Sequence, residues 1–536
     1  MNQLTPLRLA VVEDNATARI NLRSHLLSLQ QFDVASYSNG KELRNGLRLI
    51  DFDIIFIDYH LGQDKSGAEW ISTLRETKLL KPSTGLVFIT SDSMPNTIGQ
   101  ILDLYPDIII IKPYTIRNLL SSVSHYIKVR QKILPALQYL NNQRYAKALD
   151  YLADKLASGI DKRFKTDFLK LQGRILVEAQ EYEVASELYA KVLDKSQNVI
   201  WAHWGLIKSN FFTGKWQNCK DMLDRLVEES LTKDKAYEWL ASVEMGKQNY
   251  VKAEAYLDKI KESDLSIQAT RLKTLCYESQ GKSEEAVRLL ERKVQSNLSI
   301  RERMVDYTME LARYHLHLAE SFAETHQKNI ELLQARKLIG RASRNIFDRH
   351  SEMQRDYMLA LAHLMENDMS KAEKLMVANE QVHRVEDASI VTKIDAVKVW
   401  FGLGQKDKAS DILESCDRAL MQQVNHIDSI INNELIIAAE HSMGIEKERA
   451  VAINEQGMQH FQRNEQVKAL QCFYRAYKIF PGVPAFSLNL LQSLYECDQD
   501  EYKGIGAEQL ISSLSTLALN DRNQNRLQML KDAFSA

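Results

Sequence analysis

The sequence predicts an α/β domain built on a five-stranded, parallel, doubly wound sheet, followed by an all-α superhelical solenoid. Three observations predict it. Five short apolar runs alternate with helix-like segments over roughly the first 130 residues. Six of the eight prolines lie at or before Pro135 and the other two are Pro481 and Pro484, so a very long central stretch has none and reads as nearly all helix. Within that stretch, small residues recur at a nearly constant interval.

The first region is read element by element. The runs LRLAVV (7–12), VASY (34–37), DIIFID (53–58), GLVFIT (85–90) and DIIIIK (107–112) are rich in β-branched residues and short enough to be strands. Helix-like segments lie at 15–30, 40–49, 66–79, 96–104 and 115–131. Continuous apolar strands alternating with helices imply a parallel sheet covered on both faces. In such a sheet the ligand crevice lies beyond the carboxyl ends of the strands.

Composition narrows the function classes. At 536 residues the chain exceeds one core and is expected to hold several domains. A formal net charge of −2 provides no broad basic field, so neither nucleic acid nor an acidic membrane surface is an expected partner. The opening MNQLTPLRLAVVEDN has no apolar core with a cleavage site, and no long uncharged apolar stretch follows. Five cysteines (Cys219, Cys276, Cys416, Cys472, Cys497) are odd in number and far apart, which suits reduced thiols in a cytoplasmic protein and gives no zinc spacing.

The strand ends carry the chemistry. Strand one ends in Glu13-Asp14, strand three in Asp58, strand four in Thr90 and strand five in Lys112-Pro113. A lone Asp at a strand end is usually a turn former. Three carboxylates, a hydroxyl and an ammonium on one rim are a different matter. Clustered oxygen ligands suit a hard cation such as Mg²⁺. A carboxylate beside it can act as a nucleophile toward phosphorus, with Lys112 and Thr90 contacting the phosphoryl oxygens.

Residues 7 to about 127 thus resemble the receiver domain of two-component response regulators. The residues that carry the resemblance are the acidic pair Glu13 and Asp14, the phosphoacceptor position Asp58, the switch hydroxyl Thr90, and Lys112 with Pro113. The resemblance implies a cis Lys112–Pro113 bond and a metal bound by Glu13, Asp14, Asp58 and the backbone carbonyl of His60. Two departures stand out. Ile109 occupies the position where the family often has Tyr or Phe, and the stretch from Asp58 to Gly67 is one residue longer than the common pattern. The His60 side chain is expected to be solvated.

From about Ala136, the small residues Ala148, Ala185, Cys219, Ala253 and Ala286 are separated by 37, 34, 34 and 33, each after a polar or glycine-containing turn. Four residues after each comes a large one: Leu152, Tyr189, Leu223, Leu257 and Leu290. This spacing resembles the tetratricopeptide repeat, in which a small residue lets paired helices approach closely. Further units follow at Ala372, Ala409 and Ala469, and the long gaps between some of them imply lengthened or degenerate units. The expected domains are therefore a receiver over 1–131 and a repeat-like helical domain over 132–536 with about nine to eleven helix pairs. The segment 507–534 reads as a terminal helix pair without the signature of a helix-turn-helix. The charge run EKER (446–449) is expected on a solvated face, and Trp201, Trp204, Trp216 and Trp239 in the core.

The resemblance implies a response regulator phosphorylated on Asp58 by a sensor histidine kinase. Beyond that self-phosphorylation chemistry no enzymatic output is expected, since no phosphate loop or metal-ligand cluster follows residue 136. The repeat region would bind a protein or peptide on its concave face. The receiver-plus-repeat architecture resembles VieB-type auxiliary regulators of Vibrio, which implies an action on kinase-to-regulator phosphotransfer. A transcriptional regulator with a helical effector domain, a repeat scaffold with a vestigial receiver, and a homodimer stay open as alternatives.

Overall fold

The computed structural model describes residues 6–62, 65–228, 232–346, 348–380 and 382–535. Its contacts group into two compact units. The first comprises Met1–Asn210, Asp221–Glu238 and Gln295–Met304, and the second comprises Phe211–Lys220, Trp239–Val294 and Val305–Ala536.

In the first unit, strands β1 (Leu7–Val12), β2 (Phe32–Tyr37), β3 (Ile54–Asp58), β4 (Gly85–Thr90) and β5 (Ile108–Ile111) pair in parallel in the order β2-β1-β3-β4-β5. Helices α1 (Ala16–Leu27), α2 (Gly40–Leu47), α3 (Gly67–Glu76), α4 (Pro95–Asp103) and α5 (Ile116–Asn141) separate and follow them. The two-residue period of a strand divides the apolar side chains between two cores. Leu9, Val11, Ile54, Phe56, Val87 and Ile89 pack with Leu22 and Leu26 of α1 and with Val123 and Ile127 of α5. Ala10, Val12, Ile55, Ile57, Leu86 and Phe88 pack with Leu43 of α2, Trp70, Ile71 and Leu74 of α3, and Ile101 of α4. Every residue of β3 is buried, which is why its sequence shows no polar alternation until Asp58.

The helices start where side-chain oxygens satisfy the first free N–H groups. Asn15, Asn39, Ser66 and Thr115 cap α1, α2, α3 and α5, and Ser66 forms a reciprocal capping box with Glu69. One boundary differs from expectation. The helix predicted to end at 131 continues to Asn141, with Pro135 inside it. Val129, Ile133, Ala136, Leu137 and Leu140 are all buried against the two helices that follow, and that packing outweighs the lost hydrogen bond at Pro135.

Among the described residues, 21 α-helices follow, from Tyr145–Ala157 to Asp521–Ser535. The eight small residues singled out by spacing, Ala148, Ala185, Cys219, Ala253, Ala286, Ala372, Ala409 and Ala469, are each wholly buried. Five positions before each stands a residue in the left-handed conformation: Gln143, Gln180, Gly214, Gln248, Gly281, Asn367, Gly404 and Asn464, with φ between 54° and 79°. These close the preceding helix. At Gln180, for example, its N–H donates to the Val177 carbonyl at 3.1 Å, and the Glu181 N–H donates to that of Leu176 at 2.9 Å. A fixed turn followed by a fixed close contact is the physical content of the repeat.

Two readings need correction. A small antiparallel hairpin, Glu501–Tyr502 with Ile505–Gly506, interrupts the helices before the terminal pair Ala507–Ser515 and Asp521–Ser535. Its turn, Lys503-Gly504, has both residues at positive φ. The EKER run is not simply solvated: Arg449 pairs with Asp417 and Glu440, and Arg475 joins the same two carboxylates. Trp204, Trp216 and Trp239 are buried as expected, and Trp201 is partly so. No helix among the described residues is long and apolar enough to cross a membrane.

Candidate functional site

The ends of β1, β3, β4 and β5 are held level by backbone bonds that continue the sheet past the side chains of interest. The Tyr59 N–H donates to the Ile89 carbonyl at 2.9 Å, the Lys112 N–H to that of Thr90 at 2.7 Å, and the Glu13 N–H to that of Tyr37 at 3.2 Å. The guanidinium of Arg19, one turn into α1, donates to the carbonyls of Glu13 at 2.5 Å and Asp14 at 3.2 Å, fixing the backbone of the acidic pair.

Lys112 reaches across this rim. Its ammonium lies 2.5 Å from Asp58 Oδ2 and 2.9 Å from Glu13 Oε2. Asp58 Oδ1 accepts the His60 backbone N–H at 3.1 Å. Asp58 and Glu13 are buried, Lys112 is partly exposed and Asp14 is open to solvent. Two carboxylates share one ammonium in a desolvated place. Burial, together with the contact to Asp58, therefore raises Glu13 to a pKa of about 7, against the opposing pull of Lys112. The site carries more negative charge than it neutralises.

Glycine shapes the loop after Asp58. At Gly67 a Cβ would stand 2.2 Å from the Asp58 carbonyl oxygen, so the start of α3 abuts the end of β3. Gly62 has φ +66°, and a Cβ there would lie 2.9 Å from Asp14 Oδ2. The extra length between Asp58 and Gly67 falls partly on Gln63 and Asp64, outside the described residues. The Lys112–Pro113 peptide is cis.

Thr90 is wholly buried, and its hydroxyl donates to the Asp92 carbonyl at 3.2 Å while accepting the Asp92 N–H at 3.0 Å. Asp92 was not singled out by sequence reasoning, yet it organises the opposite side of the rim. Its carboxylate accepts the Thr97 hydroxyl at 2.7 Å and the Met94 N–H at 2.8 Å, and lies 3.6 Å from His60 Nε2. The His60 ring is exposed, as expected, and its backbone N–H donates to Asp58.

Ile109 is partly buried against the α2–α3–α4 core. The aromatic ring that reaches α4 comes instead from Tyr59, directly after Asp58. Tyr59 is buried and its hydroxyl donates to Gln100 Oε1 of α4 at 2.8 Å. Burial pushes its hydroxyl up to a pKa of about 12, so it remains a neutral donor. Only the adjacency of Tyr59 to Asp58 could have signalled this from sequence. His315 and His317, in contrast, serve Glu331 and Glu278 separately and form no pair.

Residues 9–124 match the family model described as the response regulator receiver domain. These residues are a receiver domain. The chain is similar to the solved BeF3-activated DrrB receiver domain, at 23% identity over 23% of this chain and 98% of that one, with a TM-score of 0.21. It is also similar to a CheY-like receiver domain protein from Methanospirillum hungatei JF-1, at 20% identity over 24% of this chain and 98% of that one, TM-score 0.22. A response regulator from Burkholderia pseudomallei, solved with a phosphorylated aspartic acid, calcium ion and citrate, is 19% identical over 30% of this chain and 95% of that one, TM-score 0.20. No curated protein matches the chain. The match covers under a quarter of the chain and supports two-component signalling for that part.

Proposed function

We propose that Asp58 is the phosphoacceptor of a response regulator whose output is protein binding by the helical region. The observation that carries the reading is the surplus of carboxylate around one ammonium: Glu13 and Asp58 both on Lys112, with the His60 N–H directed at Asp58. A carboxylate oxygen of Asp58 attacks the phosphorus of the donor, the bond from phosphorus to the donor's leaving atom breaks, and a mixed anhydride forms on Asp58. The Lys112 ammonium then moves its contact from the carboxylate to a phosphoryl oxygen, and the Thr90 hydroxyl exchanges the Asp92 carbonyl for another phosphoryl oxygen.

Among the described residues no three acidic or histidine side chains are already gathered around one metal position. The donor set nevertheless fits a hard divalent ion, because it is all oxygen and carries uncompensated charge. Glu13, Asp14, Asp58 and the His60 carbonyl would hold Mg²⁺, which supplies charge neutralisation where donor and acceptor meet. The rest of the reading divides the chain into a receiver at 1–131 and a repeat-like helical domain at 132–536 that binds a protein or peptide. In the VieB-type form of the reading, the target is kinase-to-regulator phosphotransfer itself.

Incubation with Mg²⁺ and acetyl phosphate is expected to label the wild type and leave Asp58→Asn unlabelled, read by intact mass and phosphate-affinity gel. Equal labelling of Asp58→Asn removes the phosphoacceptor assignment. Absence of label in both, with a donor that labels a control receiver, leaves a scaffold with a vestigial receiver.

A further inference from the structure

The loop that follows Asp58 is anchored at its far end by the start of α3, and that start is gripped by a residue far outside the receiver. The Tyr59–His60 peptide is held from both sides: its N–H donates to Asp58 Oδ1 at 3.1 Å, and its carbonyl accepts the Gly67 N–H at 2.8 Å. Gly67 is the first residue of α3, and Ser66 before it closes the capping box. The Ser66 N–H donates to Glu69 Oε2 at 2.7 Å, and its hydroxyl accepts the Glu69 N–H at 3.2 Å. Glu69 is itself clasped by Arg303, whose Nε donates to Oε1 at 2.8 Å and to Oε2 at 3.0 Å, while Nη2 also donates to Oε2. Oε2 therefore serves the loop and Arg303 at once. Contacts run without a break from Arg303 through Glu69, Ser66 and Gly67 to the peptide that faces Asp58.

Arg303 stands in the first turn of helix Arg301–Ser321, 234 residues from Glu69 in sequence and in the same compact unit as the receiver. Its neighbour Glu302 pairs with Lys41 of α2 at 2.6 Å, so two consecutive residues of opposite sign meet opposite charges on α2 and α3. The Arg303 and Glu69 side chains are 29% and 36% exposed, and ion pairs so placed contribute little to stability. What a guanidinium does supply is direction, because its planar fork fixes the carboxylate that it grips. Against the opposing effect of burial, Arg303 also holds the Glu69 carboxyl below the ordinary carboxylate range, so Glu69 remains a strong acceptor for the Ser66 N–H.

We propose that Arg303 is a positioning residue for the rim at Asp58. By fixing Glu69 it fixes the loop from Tyr59 to Gly67, and with it the His60 carbonyl and the Asp58 carboxylate that would hold a divalent ion. The inference rests on the reading of Asp58 and its neighbours as a metal-assisted phosphoacceptor site, and adds a residue from the helical region to that site's support. Groups that orient metal ligands set metal affinity without touching the metal. A simple charge effect makes a different prediction. Loss of Arg303 would leave Glu69 uncompensated and draw a cation in, whereas loss of Glu69 would leave Arg303 uncompensated and repel it. Positioning weakens binding in both cases.

The test titrates the full chain with Mn²⁺, in the absence of any phosphodonor, and follows free Mn²⁺ by electron paramagnetic resonance. Arg303→Gln and Glu69→Gln are each expected to weaken binding by about tenfold, the lower end of the range for residues that orient metal ligands. The double variant is expected to bind no more weakly than either single one, because the two residues act as a unit. Lys41→Met loosens the same segment without touching Glu69 and is expected to stay within about twofold of wild type. If Arg303→Gln does not fold, Arg303→Lys takes its place: it keeps the charge, loses the fork, and is expected to bind more weakly than wild type. Unchanged or tighter binding in the Arg303 variant, additive losses in the double variant, an equal loss in Lys41→Met, or no binding of Mn²⁺ by the wild type overturns the proposal. Asp58 labelling by acetyl phosphate at saturating Mg²⁺ is measured on the same proteins. An unlabelled wild type whose variants still show the expected Mn²⁺ affinities removes the phosphoacceptor reading and leaves the role of Arg303 standing, so the two failures give different results.

Discussion

The receiver and the helical region both gather charges away from water, but they balance them differently. At the strand ends Glu13 and Asp58 share the single ammonium of Lys112, and Glu13 is driven up to about 7. In the second unit, Arg449 and Arg475 face Asp417 and Glu440, two cations against two carboxylates. Arg271 and Arg313 face Glu310 and Asp395 in the same ratio. The difference teaches how to separate a reactive cluster from a structural one. A cluster whose charges balance can hold helices together, whereas an unbalanced one at an open rim is a candidate for binding a cation or a phosphoryl group.

The largest effect that would test this contrast comes from the balanced side. Asp417→Ala removes the carboxylate that touches both Arg449 and Arg475 and leaves two largely buried guanidinium groups with Glu440 alone. Breaking a buried pair in this way costs about 3–5 kcal/mol. Urea unfolding is expected to show a loss of that order. Asp58→Asn, which relieves a surplus of negative charge, is expected to leave stability within about 1 kcal/mol of wild type or to raise it. Equal losses in the two variants would break the comparison.

A second test compares how close approach is used in the two regions. Gly67→Ala would force a Cβ against the Asp58 carbonyl oxygen, and backbone cannot yield there as a flexible side chain would. The expected result is a loss of about 1–3 kcal/mol in unfolding free energy, the usual scale of overpacking, with slowed phosphorylation of Asp58. In the helical region, Gly404 has φ +79° and open space where a Cβ would stand. Gly404→Ala therefore carries only the cost of the left-handed backbone, about 1–2 kcal/mol, and Gln248→Gly is expected to recover a similar or smaller amount at another repeat turn. A Gly404→Ala protein as stable as wild type would show that these turns are not held left-handed.

Legibility of the sequence follows the same division. The strands could be read because strands buried on both faces leave an uninterrupted apolar signal, and Asp58 marks where it stops. The small residues of the repeats could be read because burial beside a neighbouring helix excludes anything larger. Three kinds of feature could not. Gln143, Gln180 and Gln248 occupy left-handed turns where Gly or Asn is the usual signal. The continuation of α5 through Pro135 depends on packing with helices that come later in the chain. Arg526, Asn489 and Asn454 come from three helices far apart in sequence, and only the fold brings them together. Tyr59 and Asp92 lay next to recognised residues, but their reach toward α4 depends on the path of the loops.

The smallest expected effect concerns a cation, Lys503, that has no carboxylate partner among the described residues. Lys503, in the hairpin turn, lies 5.5 Å from the Tyr474 ring centroid and 5.3 Å from that of Tyr502. Burial, with Arg475 as a further cation, lowers its pKa to about 8. The unfolded chain, where a lysine titrates near 10.4, then binds more protons than the folded one between about pH 8 and pH 10.4. Lys503 therefore weakens the fold fully below pH 8, and the penalty is relieved as pH rises through that window. Because the side chain is partly exposed, the slope is expected to stay below about 1 kcal/mol per pH unit. Lys503→Met removes the charge and keeps the stem against the rings. It is expected to exceed wild type in urea midpoint at pH 7, with the advantage shrinking by pH 9. An advantage that is the same at both pH values would mean that Lys503 keeps its charge throughout, and that the hairpin turn tolerates an unbalanced cation as readily as the open rim at Asp58 tolerates surplus carboxylate.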